Sequence, residues 1–215
     1  MDARLGGATH MSVTPCRGMT LDSHPCYCAG VEPYSGAVLI GGKARRFGAD
    51  KATYLHRGKP LAEWVLDSLV EADERYLVGR SSLPWTPLPC YPDLRPGGGA
   101  LSGVHAALVH ARCDWVAIAA CDLPNLSADF WRFLASRRGD ASAVTPLGPS
   151  GRLEPLAAFY HRSLLHLVES RLAADQLAIH QLVEQTGARV VAWRELAGRF
   201  THDLFANVNR PSDLA

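Results

Sequence analysis

Six consecutive apolar residues, Trp115-Val116-Ala117-Ile118-Ala119-Ala120, run without a polar break into Cys121-Asp122. A strand with one wet face alternates apolar and polar residues. An unbroken run of this length marks instead a strand covered on both faces. Such a strand needs helices on each side of its sheet, so this one segment already points to a layered α/β architecture.

The rest of the chain supplies the other layers. Ala37-Val38-Leu39-Ile40 is a second buried-strand pattern, and it stops at Gly41-Gly42. Tyr76-Leu77-Val78, Ala143-Val144-Thr145, Leu156-Ala157-Ala158-Phe159-Tyr160 and residues 189–193 predict further strands. Between them Leu61, Trp64, Val65 and Leu69 recur at helical spacing beside Glu63 and Asp67. Val104, Leu108 and Val109 fit a helix beginning near Leu101, and Ser127 is placed to cap another. Two more helices are expected over 164–172 and 177–185, with a short segment at 205–209 before Pro211. The alternation predicts an α/β fold, a three-layer α/β/α sandwich of Rossmann-like form around a mostly parallel sheet. Ligands in such folds collect at the carboxyl ends of the strands, where the loop after Ile40 and Asp122 both fall.

Composition removes several function classes. The formal net charge is +1, with Lys and Arg spread along the chain, so nucleic acid and acidic membranes are not expected partners. No apolar run approaches the ~20 residues of a spanning helix, and no signal-peptide core opens the chain, so a cytoplasmic location is expected. Residues 1–33 lack apolar periodicity and read as a poorly ordered extension to a single domain over 34–215. The six cysteines are irregularly spaced, and Cys26-Tyr27-Cys28 has no second pair at zinc-ligand spacing. They read as reduced thiols, Cys113 and Cys121 among them as core residues. None of the nine histidines forms a His-x-x-x-His pair with a nearby carboxylate, and His161, His166 and His180 fall in expected helical stretches. No Gly-x-Ser-x-Gly elbow is present.

The sharpest motif is Leu39-Ile40-Gly41-Gly42-Lys43-Ala44-Arg45-Arg46-Phe47-Gly48-Ala49-Asp50-Lys51. Two glycines after a strand let a backbone approach a ligand closely and present N–H groups to phosphate oxygens. Arg46 offers a rigid fork for two oxygens and Lys51 a mobile point charge, while Arg45 reads as a solvated neighbour. The spacing is neither a Walker A loop nor a dinucleotide fingerprint, and a surface turn with solvated cations is the alternative.

Asp122, at the end of the buried strand, is well placed to hold Mg²⁺ against phosphates, or else to cap a turn. Asp93, in Tyr91-Pro92-Asp93-Leu94, precedes the loop Pro96-Gly97-Gly98-Gly99-Ala100-Leu101-Ser102-Gly103 and could accept hydrogen bonds from a base or ribose, or simply close a Pro-Asp turn. In the closing Asn207-Val208-Asn209 the two amides share one side of an extended segment and could reach a phosphate, a pterin or metal-bound water. Asn209 could equally cap a last helix. Glu154, before Pro155, is either an acceptor-pocket contact or a solvated loop residue.

Together these elements resemble the molybdenum cofactor guanylyltransferase (MobA) family. Its Leu-Ala-Gly-Gly-x-x-x-Arg-Met-Gly-x-Asp-Lys is similar to Leu39 through Lys51, with Ile40 for Ala and Phe47 for Met. Its Gly-Pro-Leu-Ala-Gly resembles Gly99-Ala100-Leu101-Ser102-Gly103, its Cys-Asp-x-Pro resembles Cys121-Asp122-Leu123-Pro124, and its Asn-Val-Asn-Thr-Pro-Glu-Asp-Leu resembles the segment from Asn207 to Leu214. The resemblance implies a GT-A-like nucleotidyltransferase fold. It also implies transfer of GMP from GTP to molybdopterin with Mg²⁺ as cofactor, and transient contact with molybdenum cofactor enzymes or chaperones. By the same resemblance Leu39, Ile40 and Gly41 line the guanine pocket, Gly42 and Gly79 belong to the nucleotide-binding set, Lys51 binds phosphates, Asp93 the nucleotide, and Asp122 both nucleotide and metal; Arg46, Lys51 and Asp122 carry catalysis. Where the family has an Asn at the exit of the second strand this chain has Gly79, leaving that hydrogen bond to backbone or to Arg80. A cytidylyltransferase of the same fold and a non-catalytic GTP-binding module are the competing readings. Cytidylyl relatives tend to carry Leu-Ala-Ala-Gly where this chain has Leu39-Ile40-Gly41-Gly42.

Overall fold

A computed structural model describes residues 32–41, 50–209 and 213. The expected extension, apart from Glu32 and Pro33, lies outside the described residues, as do Gly42, Arg45 and Arg46 of the glycine loop.

Seven strands form the central sheet: β1 (Tyr34–Leu39), β4 (Glu74–Val78), β5 (Cys90–Tyr91), β6 (Trp115–Ala120), β7 (Ala143–Pro146), β8 (Ala157–His161) and β9 (Arg189–Val191). Their order across the sheet is β5-β4-β1-β6-β8-β7-β9. All neighbours run parallel except β8, which is antiparallel to both β6 and β7. β7 and β8 are joined by residues 147–156, too short for a helical crossover, so the chain returns as a hairpin. The turn closes through a bridge between Leu147 and Leu153. This reversal brings the start of β8 beside the end of β6.

Helices α1 (Leu61–Ser68), α2 (Gly99–His110), α3 (Ala128–Ala135), α4 (Leu165–Ala173), α5 (Ile179–Gln185) and α6 (Trp193–Leu196) flank the sheet. Along β6 the side chains divide by period two. Trp115, Ala117 and Ala119 join the core that contains Phe130 and Trp131 of α3, whereas Val116 and Ile118 join the core that contains Leu108 of α2 and Val168 of α4. The unbroken apolar run is therefore explained: both faces of β6 are dry. Ser127 caps α3 by accepting from the Phe130 N–H at 3.3 Å. Cys113 and Cys121 are buried, as expected.

Several expectations need correction. The strand at 189–193 stops at Val191, because the Glu195 carboxylate accepts from the Ala192 N–H at 3.2 Å and turns the chain into α6. His161 closes β8 instead of lying on a helix, and its Nδ1 accepts from the Ser163 N–H at 3.2 Å. Residues 205–209 form a turn and irregular chain. A small hairpin, β2 (Leu55–His56) with β3 (Lys59–Pro60), turns through Arg57 and Gly58, both at positive φ as such a two-residue loop requires. No helix among the described residues is long and apolar enough to cross a membrane.

Candidate active site

The carboxyl ends of β1, β4 and β6 open, together with the start of β8, on one cleft of about 1180 Å³. The ladder persists to its last rung. The Ile40 N–H donates to Val78 O at 2.8 Å, the Cys121 N–H to Leu39 O at 3.1 Å, and the Gly79 N–H to Tyr91 O at 2.8 Å. Gly41, Gly79 and Asp122 thus leave the sheet side by side, each from a strand with no freedom to drift.

Gly79 explains its own identity. Its φ is +121°, and a Cβ there would lie 2.4 Å from Gly41 N and 2.6 Å from Gly41 Cα. The two strand exits touch backbone to backbone, and no side chain fits between them. A Cβ on Gly41 would come 3.4 Å from Asp93 Oδ2, so the Asp93 carboxylate lies beside Gly41. Leu39 and Ile40 border the same floor while their side chains are buried in the two cores.

Arg80, the expected substitute for an Asn side chain, is engaged elsewhere. Its guanidinium grips both oxygens of Asp50, with Nη2 to Oδ1 at 2.5 Å and Nη1 to Oδ2 as the second contact. Asp50 Oδ1 also accepts from the Ala52 N–H at 3.2 Å and so caps the single 3-10 turn Lys51–Thr53. Burial raises the Asp50 carboxyl, but the hydrogen bonds and charge of Arg80 outweigh it and hold the group below the usual carboxylate range. The clasp fixes the turn that carries Lys51 to the exit of β4. Sequence reasoning missed it, although both residues bordered motifs it had singled out.

Lys51 Nζ donates to Asp122 Oδ2 at 2.7 Å and to Asn209 Oδ1 at 3.1 Å. The C-terminal segment is tethered here because the Val208 N–H donates to the Asp122 carbonyl at 3.0 Å, with the Val208 side chain packed on Leu61 and Tyr54. Asn207 borders the cleft. Asn209 uses its amide oxygen on Lys51, and its backbone N–H donates to Asp213 Oδ2 at 2.7 Å. The other oxygen of the central carboxylate, Asp122 Oδ1, is buried with no hydrogen-bond donor among the described residues. A shielded carboxylate oxygen without a donor suits a hard divalent cation. No group of three or more His, Cys, Asp or Glu able to hold a metal occurs among the described residues, so further ligands would have to come from substrate phosphates and water.

Two further carboxylates face the cleft without a cation. Burial pushes Asp93 above its ordinary value. Burial, and then the charge of Asp122, does the same to Glu154. Neither makes a side-chain hydrogen bond or ion pair with a described residue. The Cys121 thiol is pushed up to about 12, by burial first and by Asp122 second, which leaves it inert as a nucleophile. The site therefore offers cationic and carboxylate groups for charged ligands and no activated protein nucleophile among the described residues.

A family model described as a MobA-like NTP transferase domain matches residues 36–194. A probable molybdenum cofactor guanylyltransferase of Deinococcus radiodurans is 40% identical over 190 residues, covering 85% of this chain and 93% of that protein. One of the same description from Carboxydothermus hydrogenoformans is 34% identical over 180 residues, covering 82% and 91%. Among solved structures, the molybdopterin-guanine dinucleotide biosynthesis protein A of Archaeoglobus fulgidus superposes with a TM-score of 0.72 at 26% identity, covering 84% of this chain and 94% of that one.

Proposed function

We propose that this chain, which belongs to the MobA-like NTP transferase family and is a nucleotidyltransferase, transfers GMP from GTP to molybdopterin and releases pyrophosphate. One observation carries the reading. Lys51 and Asp122 meet at 2.7 Å at the mouth of the sheet, with Asp122 Oδ1 left over for a cation.

The base lies over the Gly41–Gly79 contact, where the missing Cβ atoms leave a flat floor wide enough for a purine. Asp93 accepts from the guanine edge or the ribose. Lys51, held in place by the Asp50–Arg80 clasp, turns from Asp122 to the triphosphate and neutralises part of its charge. Arg46 adds a second cation from the glycine loop. Asp122 Oδ1 would hold Mg²⁺, which supplies charge neutralisation at the phosphates and leaving-group stabilisation when bound. The terminal phosphate of molybdopterin is itself the nucleophile, so the protein's contribution is alignment and charge stabilisation. Asn207 and Asn209 border the acceptor side and can donate to its phosphate. The same reading puts the reaction in the cytoplasm, where Cys90, Cys113 and Cys121 stay reduced. The finished cofactor then passes to the enzymes or chaperones that take it up.

The test supplies GTP or CTP, each with Mg²⁺ and molybdopterin, and measures pyrophosphate. GTP is the expected donor by a wide margin. Preference for CTP overturns the guanine assignment, and binding of GTP without pyrophosphate release overturns catalysis.

A further inference from the structure

Guanine and the reduced pterin have the same recognition problem. Each is a fused ring presenting N–H and NH₂ donors, and a carboxylate is the side chain that accepts two such donors at once. The cleft holds two half-buried carboxylates with no partner among the described residues, Asp93 and Glu154, in addition to Asp122.

Their placement is ordered. Asp93 follows β5, Asp122 follows β6, and Glu154 precedes β8, all at the same end of the sheet. In the strand order β5-β4-β1-β6-β8, Asp122 lies between the other two. The Asp93 carboxylate reaches the exit of β1 beside Gly41, so at ~4.8 Å per strand it lies roughly two strands, ~10 Å, from Glu154, with Asp122 at the strand between. A dinucleotide needs its pyrophosphate between its two ring sites, and this order provides it.

Glu154 is also fixed in place. Its backbone N–H donates to Pro146 O at 2.9 Å, and its carbonyl accepts from the Ala157 N–H at 3.0 Å. A Cβ on Gly148 would come 2.8 Å from Glu154 Oε1, so the absent side chain at 148 leaves room for the carboxylate. It is held at a desolvation cost with no cation to offset it. Ligand N–H donors would remove that cost.

We infer that Glu154 determines acceptor specificity by accepting hydrogen bonds from the ring N–H groups of the pterin, as Asp93 does for the donor nucleotide on the other side of Asp122. The inference rests on the proposed reaction.

The test compares wild type with Glu154→Ala and Glu154→Gln in three binding measurements. Molybdopterin is followed by its pterin optical signal, GTP by calorimetry, and Mn²⁺ with GTP by electron paramagnetic resonance. Hydrogen bonds to a charged group predict roughly 10- to 100-fold weaker molybdopterin binding by Glu154→Ala, and a smaller loss for the isosteric Gln. GTP and Mn²⁺ binding should stay within about twofold, which a general structural collapse would not allow. Unchanged molybdopterin binding in Glu154→Ala overturns this inference alone. Loss of Mn²⁺ binding overturns it too, by giving Glu154 to the metal. Failure of wild type to bind molybdopterin overturns the inference together with the proposed reaction.

Discussion

Replacing Gly79 by Ala tests the floor of the site at its tightest point. The new Cβ would sit 2.4 Å from Gly41 N and 2.6 Å from Gly41 Cα. Ordinary carbon contacts lie near ~3.5 Å, so the exits of β1 and β4 must part by about 1 Å. Neither can yield cheaply, because the Ile40–Val78 and Gly79–Tyr91 hydrogen bonds hold both to the ladder. The positive φ adds about 1–3 kcal/mol of backbone strain. Strain of that size lowers Tm by roughly 2–12 °C in a chain of this length. A ~1 Å displacement under the base costs on the order of 10² in kcat/KM. Gly58→Ala is the control: φ is +78°, nothing lies within 4 Å, and it sits in the β2–β3 turn away from the cleft. It should lose about 1–2 kcal/mol of stability and leave GTP affinity intact. Thermal melts and GTP titrations on both variants separate strain from collision. A Gly79→Ala protein with wild-type Tm and wild-type GTP affinity would refute the close-contact argument.

Other consequences follow from the same geometry. Asp122→Ala should reduce kcat by about 10²–10³ with little change in Tm, since a partly exposed ion pair contributes only ~0–1 kcal/mol; near-normal pyrophosphate release would contradict the role given to Asp122. Arg80→Met should weaken GTP binding several-fold although Arg80 is assigned no ligand contact. It should also let the Asp50 carboxyl rise from its depressed value, which carboxyl NMR can follow. Asp93→Asn carries a pH signature. Because burial raises the folded-state value of Asp93, wild-type GTP affinity should be full above that value, then decline as pH falls through it, at a higher pH than an ordinary aspartate would give. The Asn variant should bind more weakly at neutral pH and lack that limb. The folded protein also holds this proton more tightly than the unfolded chain does. The burial penalty is therefore present above the folded value and vanishes below the unfolded one, so Asp93→Asn should melt higher at pH 7.

How much of this was legible in advance depends on the range of each interaction. The unbroken run Trp115–Ala120 announced a strand dry on both faces, and the two cores that share it agree. The ends of β1 and β6 could be placed together because a parallel sheet brings strand ends to one edge, which is how Lys51 and Asp122, 71 residues apart, came under one hypothesis. At Gly79 the sequence shows only the lack of an Asn side chain; the close contact with Gly41 is not legible there, because sequence does not say which backbone lies against it. The Arg80–Asp50 clasp was hidden for the same reason, spanning 30 residues with no periodic signature. Cys90–Tyr91 and the β2–β3 hairpin have two-residue strands, too short for any alternation to register. At Trp193 an apolar residue prolongs the strand pattern, yet Glu195 three residues after Ala192 is the available sign of a helix start.

The central claim is direct transfer of the α-phosphoryl group within one cleft. Enzyme incubated with Mg²⁺ and α-labelled GTP, then mixed with molybdopterin and quenched in acid, reads it in a single turnover. The account predicts no label on the protein at any time, no pyrophosphate before the acceptor is added, and afterwards labelled dinucleotide and pyrophosphate in equal amounts. Label retained on the protein, or pyrophosphate released without acceptor, would contradict it.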